Sequence, residues 1–191
     1  MSRARTAARP RPDGIHATAF IHPKAHVLDA IIGARTNVWQ FSSVIRGAVL
    51  GDDCSVSSCV TIDGSVYGDR CVFRPGVDIG PGVLAGNDVF FGPKITVCND
   101  LWPRTHKRGY DMDALRAAPV VIIADGVSIG AHACILPGAT LGAGCMIAAG
   151  AVVSRSVPPR HLHRLNGQVE PITDEEEKCA ARVRPAKAWA R

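Results

Sequence analysis

A chain of 191 residues is long enough for one hydrophobic core and short for two. It is 47% hydrophobic yet only 5% aromatic, with 19 glycines and 13 prolines, which favours many short strands and turns over a helical bundle. The formal net charge of +5 includes N-terminal arginines with no aromatic residues among them, against a nucleic-acid stacking surface, and no apolar run reaches the roughly 18 residues of a membrane span.

Residues 1–14 carry Arg3, Arg5, Arg9 and Arg11 among Pro and Ala and are expected to form a disordered basic arm. No apolar segment follows them, so no signal peptide is expected, and a cytoplasmic protein is the simplest expectation. The body of the chain then falls on a six-residue beat. Its first run is Ile32, Val38, Val44, Leu50, Val56 and Ile62. After a one-residue slip come Tyr67, Phe73, Ile79, Ala85, Phe91 and Val97, and later Ile123, Ile129, Ile135, Leu141, Ile147 and Val153. Four residues past each beat stands a small or short residue, as at Thr36, Ser42, Ala48, Cys54 and Val60. Neither the helical period of 3.6 nor the strand period of 2 gives such a series; a fixed longer period marks a stacked repeat.

Each hexad reads as a short extended segment with one inward side chain, then a turn. Three hexads close a triangular coil of eighteen residues, and coils pair through parallel strands that satisfy the backbone. A single coil cannot bury its apolar face, whereas a stack can. Cys54, Cys71 and Cys145 fall in the small inward slot, so buried reduced thiols are expected of these among the seven cysteines. The repeat domain is expected over residues 15–160, with a tail over 161–191 in which Thr173-Asp174-Glu175-Glu176 opens a short helix ended by Pro185.

Between Val97 and Ile123 the beat stops. The inserted loop, residues 98–120, is rich in polar and aromatic groups, and loops of this length in a compact domain are usually functional or disordered. Trp102 and Tyr110 disfavour disorder. Asp100 can cap a turn, and His106 lies in this loop, with His132 outward on the coil that follows it.

Several motifs then carry a family resemblance. They are the hexads, Phe91-Gly92-Pro93, Asn99-Asp100-Leu101-Trp102-Pro103-Arg104, His22-Pro23, Val38-Trp39-Gln40-Phe41, Ala149-Gly150-Ala151-Val152-Val153 and Val157-Pro158-Pro159. Together, over residues 20–160, they resemble the hexapeptide-repeat N-acetyltransferases that act on nucleotide-linked amino sugars for lipopolysaccharide O-antigens and related glycans. The resemblance implies an all-β protein, a left-handed parallel β-helix that departs from the usual right-handed crossover. It also implies a homotrimer with active sites between subunits, acetyl-CoA as co-substrate, a UDP- or dTDP-amino sugar as acceptor, and no metal, nucleic acid or membrane partner. Mapped onto this chain, it puts acyl-CoA against Ala131, Ala149, Ser154 and Arg155. Asn99 matches the active-site asparagine, and Asp100 and Arg104 are candidates for holding the sugar. His132 and His106 are the candidate bases, although an amino-sugar amine is less basic than that of lysine, so a useful fraction is neutral near pH 7 and no strong base is required.

Three alternatives stand beside this reading. A related acyltransferase with another small acceptor shares every feature of the hexads. A non-catalytic hexapeptide scaffold accounts for the prism but not for the elaborate loop. A carbonic-anhydrase-like protein is faintly suggested by Val44-Ile45-Arg46-Gly47, but Ala48 stands where that family has Asp, and residues 60–100 hold no histidine for a three-histidine metal site.

Overall fold

The computed structural model describes residues 14–107 and 109–173; the basic arm through residue 13 and the expected C-terminal helix from residue 174 lie outside the described residues. The expected prism is present. Three ladders of short parallel strands run along it, in keeping with a left-handed β-helix. The first face stacks Phe20–Ile21, Asn37–Val38, Ser55–Val56, Val72–Phe73, Phe90–Phe91, Ser128–Ile129, Met146–Ile147 and His161–His163. The second stacks the start of Ser43–Leu50 with Thr61–Asp63, Asp78–Ile79, Thr96–Val97, Cys134–Ile135 and Val152–Val153. The third stacks the end of Ser43–Leu50 with Val66–Tyr67, Val83–Ala85, Val121–Ile123 and Thr140–Leu141. At the N-terminal end His26–Ile32 pairs along the whole of Ser43–Leu50 and so spans two faces.

The six-residue beat is the inward column of each face. Val38, Val56, Phe73, Phe91, Ile129 and Ile147 lie in register on the first, and the beat residues of all three faces are buried. The small residues between them, from Ala48 and Cys54 to Cys145 and Ala151, are buried as well, because a prism this narrow has no room for a second large side chain at each corner. Cys54, Cys71 and Cys145 are free buried thiols in those slots. Three aromatic rings fill the middle of the stack. Phe73 and Phe91 stack with centroids 4.8 Å apart, and Tyr67 meets them edge-on at 4.9 and 5.9 Å. Ala85, in register above Tyr67, leaves the space those rings occupy.

The one-residue slip has a local cause. Where Ser43–Leu50 turns between the second and third faces, Arg46 and Gly47 both take positive φ; one coil later Gly64 alone does so, with φ 53°. A one-residue corner replaces a two-residue one, and Ser65 takes the small inward slot, fully buried, where its hydroxyl donates to the Asp63 and Gly80 carbonyls.

The edge between the third and first faces is held by polar ladders. Asp52 accepts from the Ala34 N–H, Asp69 from Asp52, Asn87 from Asp69 and Asp125 from Asn87, at 2.7–2.9 Å. Beside them Arg35 pairs bidentately with Asp53, and Arg70 with Asp88. These exposed ion pairs fix corner geometry more than they add stability.

The repeat domain reaches further than residue 160. His161–His163 stacks above Met146–Ile147, and Val169–Pro171 folds back on it antiparallel. On the outside of the third face, Ile31, Val49, Val66, Leu84 and Ile122 stand in register as an apolar column, with Ile31, Leu84 and Ile122 36%, 41% and 39% exposed. Among the described residues no helix is long and apolar enough to cross a membrane.

Phe73→Ala leaves a cavity inside the aromatic trio and is expected to cost about 3–5 kcal/mol in urea denaturation. Tyr67→Phe is expected to be neutral or stabilising in the same assay, because the Tyr67 hydroxyl is buried without a hydrogen-bond partner.

Candidate active site

The insertion leaves the prism at the edge between the second and third faces and folds back onto it. Met112–Ala117 forms a short helix, capped by Asp111, whose carboxylate accepts the Ala114 N–H at 3.0 Å. The helix lies over a column of edge glycines. A Cβ added at Gly47 would collide with Arg116, at Gly64 with Met112, and at Gly82 would press on Leu115. The Tyr110 ring covers the Arg46 guanidinium at 5.5 Å, and Arg46 is itself fixed by a bidentate pair with Asp63 at 2.7 and 2.6 Å. Asp63 is only 8% exposed, so the pair with Arg46 satisfies a carboxylate that water hardly reaches. The insertion is therefore pinned at its far end. Sequence reading missed this anchor and the helix; three glycines recurring once per coil at one edge were the available signal.

Asn99 sits at the near end, half-buried, directly over Gly80 of the preceding coil. A Cβ on Gly80 would stand 3.0–3.1 Å from Oδ1, Cβ and Cγ of Asn99, so the glycine is what admits the amide at this depth. Asp100 is committed within the loop. It accepts the Trp102 N–H at 2.8 Å and holds the Lys107 ammonium through both oxygens, at 2.8 and 2.6 Å. Lys107, and after it the Trp102 N–H, hold the Asp100 carboxyl below the usual carboxylate range. Arg104 and His106 are exposed on the same loop, where the Arg104 carbonyl accepts from the Lys107 N–H at 3.2 Å.

The remaining site residues lie elsewhere. Ala131 and Ala149 are stacked, as their eighteen-residue spacing requires, with the Gly150 N–H donating to the Ala131 carbonyl at 2.8 Å. They occupy the edge between the first and second faces, where His132 takes the left-handed corner position at φ 59° and is exposed. Ser154 and Arg155 return to the edge of Asn99. Arg155 stands two residues past Val153 as Asn99 stands two past Val97, with one coil between them, which is about 10 Å along the axis. One chain thus brings Asn99, Asp100, His106 and Arg104 together on one edge with Arg155 beyond them, and Ala131, His132 and Ala149 on another.

Two further features were not read from the sequence. Cys98, next to Asn99, and Cys134, two residues past His132, bring their Sγ atoms to 3.8 Å across the second face. Burial, and then the contact with Cys98, push the Cys134 thiol up to about 11, so it stays protonated at neutral pH. At the C-terminal end Ser154 and Arg155 share a cavity of about 480 Å³ with His161 and His163.

Comparison with known proteins adds three findings. Residues 121–155 match the family described as bacterial transferase hexapeptide (six repeats). A Schizosaccharomyces pombe protein named "Putative acetyltransferase C18B11.09c" is 35% identical over 80 residues, 42% of this chain and 38% of that protein. The bifunctional protein GlmU of Nitratidesulfovibrio vulgaris is 24% identical over 155 residues, 78% of this chain and 30% of that one. The chain thus spans well under half the length of the curated relatives it matches. Among solved structures, the acetyltransferase domain of PglB from Neisseria gonorrhoeae superposes with a TM-score of 0.52 at 21% identity, over 81% of this chain and 57% of that one, a likeness of fold. The last two coils thus carry the repeat that this family model describes, and the prism as a whole shares its fold with that acetyltransferase domain.

Proposed function

We propose that the chain is an acyl-CoA-dependent N-acetyltransferase, moving acetyl from acetyl-CoA to the amine of a nucleotide-linked amino sugar for glycan assembly such as an O-antigen. The observation that carries this reading is Asn99. Its amide is held at a fixed depth over Gly80, at the root of a loop anchored through Tyr110, on the edge that also bears Arg155. Such a group is preorganised for a reaction with no covalent enzyme intermediate.

The chemistry runs in one ternary complex. The neutral sugar amine attacks the thioester carbonyl, the tetrahedral oxyanion collapses, and the C–S bond breaks. The proton lost from nitrogen ends on the departing thiolate, directly or through water, His106 or His132. The Asn99 Oδ1 accepts from the amine N–H and aims its lone pair at the carbonyl. Arg104 is free to meet acceptor phosphate or sugar oxygens, whereas Asp100 serves by holding the loop through Lys107. The stack of half-buried Ala131 and exposed Ala149 lets a pantetheine arm approach backbone groups closely.

The same reading makes the protein a homotrimer. The two groups of site residues lie on different edges of a single prism, and the apolar column of Ile31, Val49, Val66, Leu84 and Ile122 supplies a surface for a second copy. In the trimer the edge bearing Asn99 and Arg155 faces the Ala131, His132 and Ala149 edge of a neighbouring copy.

A panel of nucleotide-linked amino sugars incubated with acetyl-CoA, with thiol release followed, is expected to yield a substrate. With that substrate Asn99→Ala is expected to lower kcat by about 100–1,000-fold, and full turnover would remove Asn99 from the reaction. Gly80→Ala presses on Asn99 without touching substrate; kcat is expected to fall about 3–10-fold with the thermal midpoint unmoved. Shared sites make a separate demand. Asn99→Ala and Ala149→Trp are each expected to be inactive, but trimers reassembled from an equal mixture should recover about a quarter of wild-type activity. No recovery would place both residues in one subunit's site.

A further inference from the structure

Two thiols on the outside of the second face take no part in the proposed acyl transfer. Val97 and Ile135 are paired on its inner side, so Cys98 and Cys134, each beside one of them, point outward, where both are half-buried. Their Sγ atoms are 3.8 Å apart. Thr96 and Val152, the neighbours of Cys134 in register below and above, are exposed, so small solutes reach the pair. Cys54 and Cys71 also adjoin one another, but both are 0% exposed and shut inside the prism.

The two outer sulfurs are held very differently. Cys134 lies within the ladder, between Thr96 of one coil and Val152 of the next, and its N–H donates to the Ala151 carbonyl at 2.9 Å. Cys98 follows the last residue of its strand and begins the insertion, tied to the ladder by its N–H, which donates to the Ile135 carbonyl at 2.9 Å. Thr96 rather than Cys98 stands opposite Cys134, so the sulfurs meet along a diagonal. Such a diagonal sets the Cα atoms roughly 8 Å apart, wider than a relaxed disulfide spans. A bond between the sulfurs, about 2.05 Å long, therefore draws backbone together, and the side that yields is Cys98. It moves toward the next coil, whereas Gly80, over which Asn99 rests, belongs to the preceding one. Closing the bond lifts Asn99 from its seat. A disulfide strained in this way is easily reduced again, which suits a reversible modification and not a structural staple.

We propose that Cys98 and Cys134 are a site of reversible oxidation, at which a hydroperoxide joins the two thiols and the resulting disulfide displaces Asn99. Cys98, as thiolate, takes the terminal peroxide oxygen. The O–O bond breaks, the leaving oxygen departs as alcohol or water with the proton of the Cys98 thiol, and the sulfur becomes a sulfenic acid. Burial, and then the contact with Cys98, keep the Cys134 thiol protonated, so it acts second. Its sulfur attacks that of Cys98, the S–O bond breaks, and the hydroxyl leaves with the Cys134 proton as water. Two thiols are oxidised and one peroxide is reduced. The bridge itself is independent of acyl transfer; that it stops turnover rests on the proposed function and on Asn99.

The full chain, carrying Cys59→Ser to remove an exposed thiol, is treated with hydrogen peroxide and digested without reductant. Mass spectrometry is expected to find a peptide joining Cys98 to Cys134 that dithiothreitol abolishes. Hydrogen exchange at the Cys98 and Asn99 amides is expected to quicken in the bridged protein, which reads the displacement without any substrate. With a substrate from the amino-sugar panel, kcat is expected to fall about 100-fold on oxidation and to return with dithiothreitol. Cys98→Ser and Cys134→Ser are expected to be active and indifferent to peroxide. Absence of the bridged peptide, or a bridge that leaves exchange at those amides unmoved, overturns the proposal. So does a loss of activity that both serine variants share, or full turnover by the bridged enzyme where Asn99→Ala has lost it. A panel without any substrate removes the acyl-transfer reading alone, and the bridged peptide and the exchange then decide the proposal.

Discussion

Everything in this molecule follows from pairing each coil with the next through parallel strands that, beyond His26–Ile32 and Ser43–Leu50, are two or three residues long. Strands so short cannot stand alone, and each gains its stability only from the coils below and above it. Register therefore propagates: once Val38 lies over Val56, every inward residue of the coil is placed, and the interior admits one large side chain per face with a small one between. A prism under that constraint has almost no freedom inside. Variation is confined to the edges, where the chain turns and nothing has to interdigitate.

The three edges have accordingly diverged. The edge between the third and first faces repeats Asp, Asn and Arg once per coil and is a bracket of side chains locking backbone N–H groups in place. The edge between the first and second faces becomes bare toward its C-terminal end, with Ala131 and Ala149 in column. The remaining edge gives up regularity altogether. Its glycines at 47, 64 and 82 clear a track, the insertion leaves at Cys98, and its helix returns along that track to rest on residues of earlier coils. A loop that both starts and lands on the rigid stack has little room to move, which is why a single amide at its root can be held to a fixed position.

The interior was legible in the sequence because its rule is periodic: eighteen beat positions and their small companions name the core almost residue by residue. What escaped reading depends on contacts between coils. Gly80 precedes Asn99 by nineteen positions and matters only because the coil brings the amide over it. The Arg46–Asp63–Tyr110 anchor joins two coils and the insertion, and no local pattern links them. His161 and His163 follow Pro158-Pro159 and fall off the six-residue beat, yet the chain resumes stacking there, with His163 in register above Ile147. The slip at Tyr67 was visible, but its cause, one positive-φ residue in place of two, lies in backbone geometry that residue type only hints at.

The separation of the site residues is itself the strongest constraint on how they can act. A face is a strand with half a turn on either side, and its two edges stand roughly 15 Å or more apart. Asn99 and the alanine column flank the second face of one prism, so a thioester lying along Ala131 and Ala149 of that chain would not reach the amide of that chain without crossing an exposed sheet face. Moving residues across the prism is forbidden by register, since a shift of one position would turn each inward side chain out. Bringing a second prism alongside has no such cost. The apolar column on the third face borders the edge of Asn99, so a copy seated there comes up beside that amide. Under the proposed function, the geometry that makes the repeat rigid thus also makes a complete site the property of two chains.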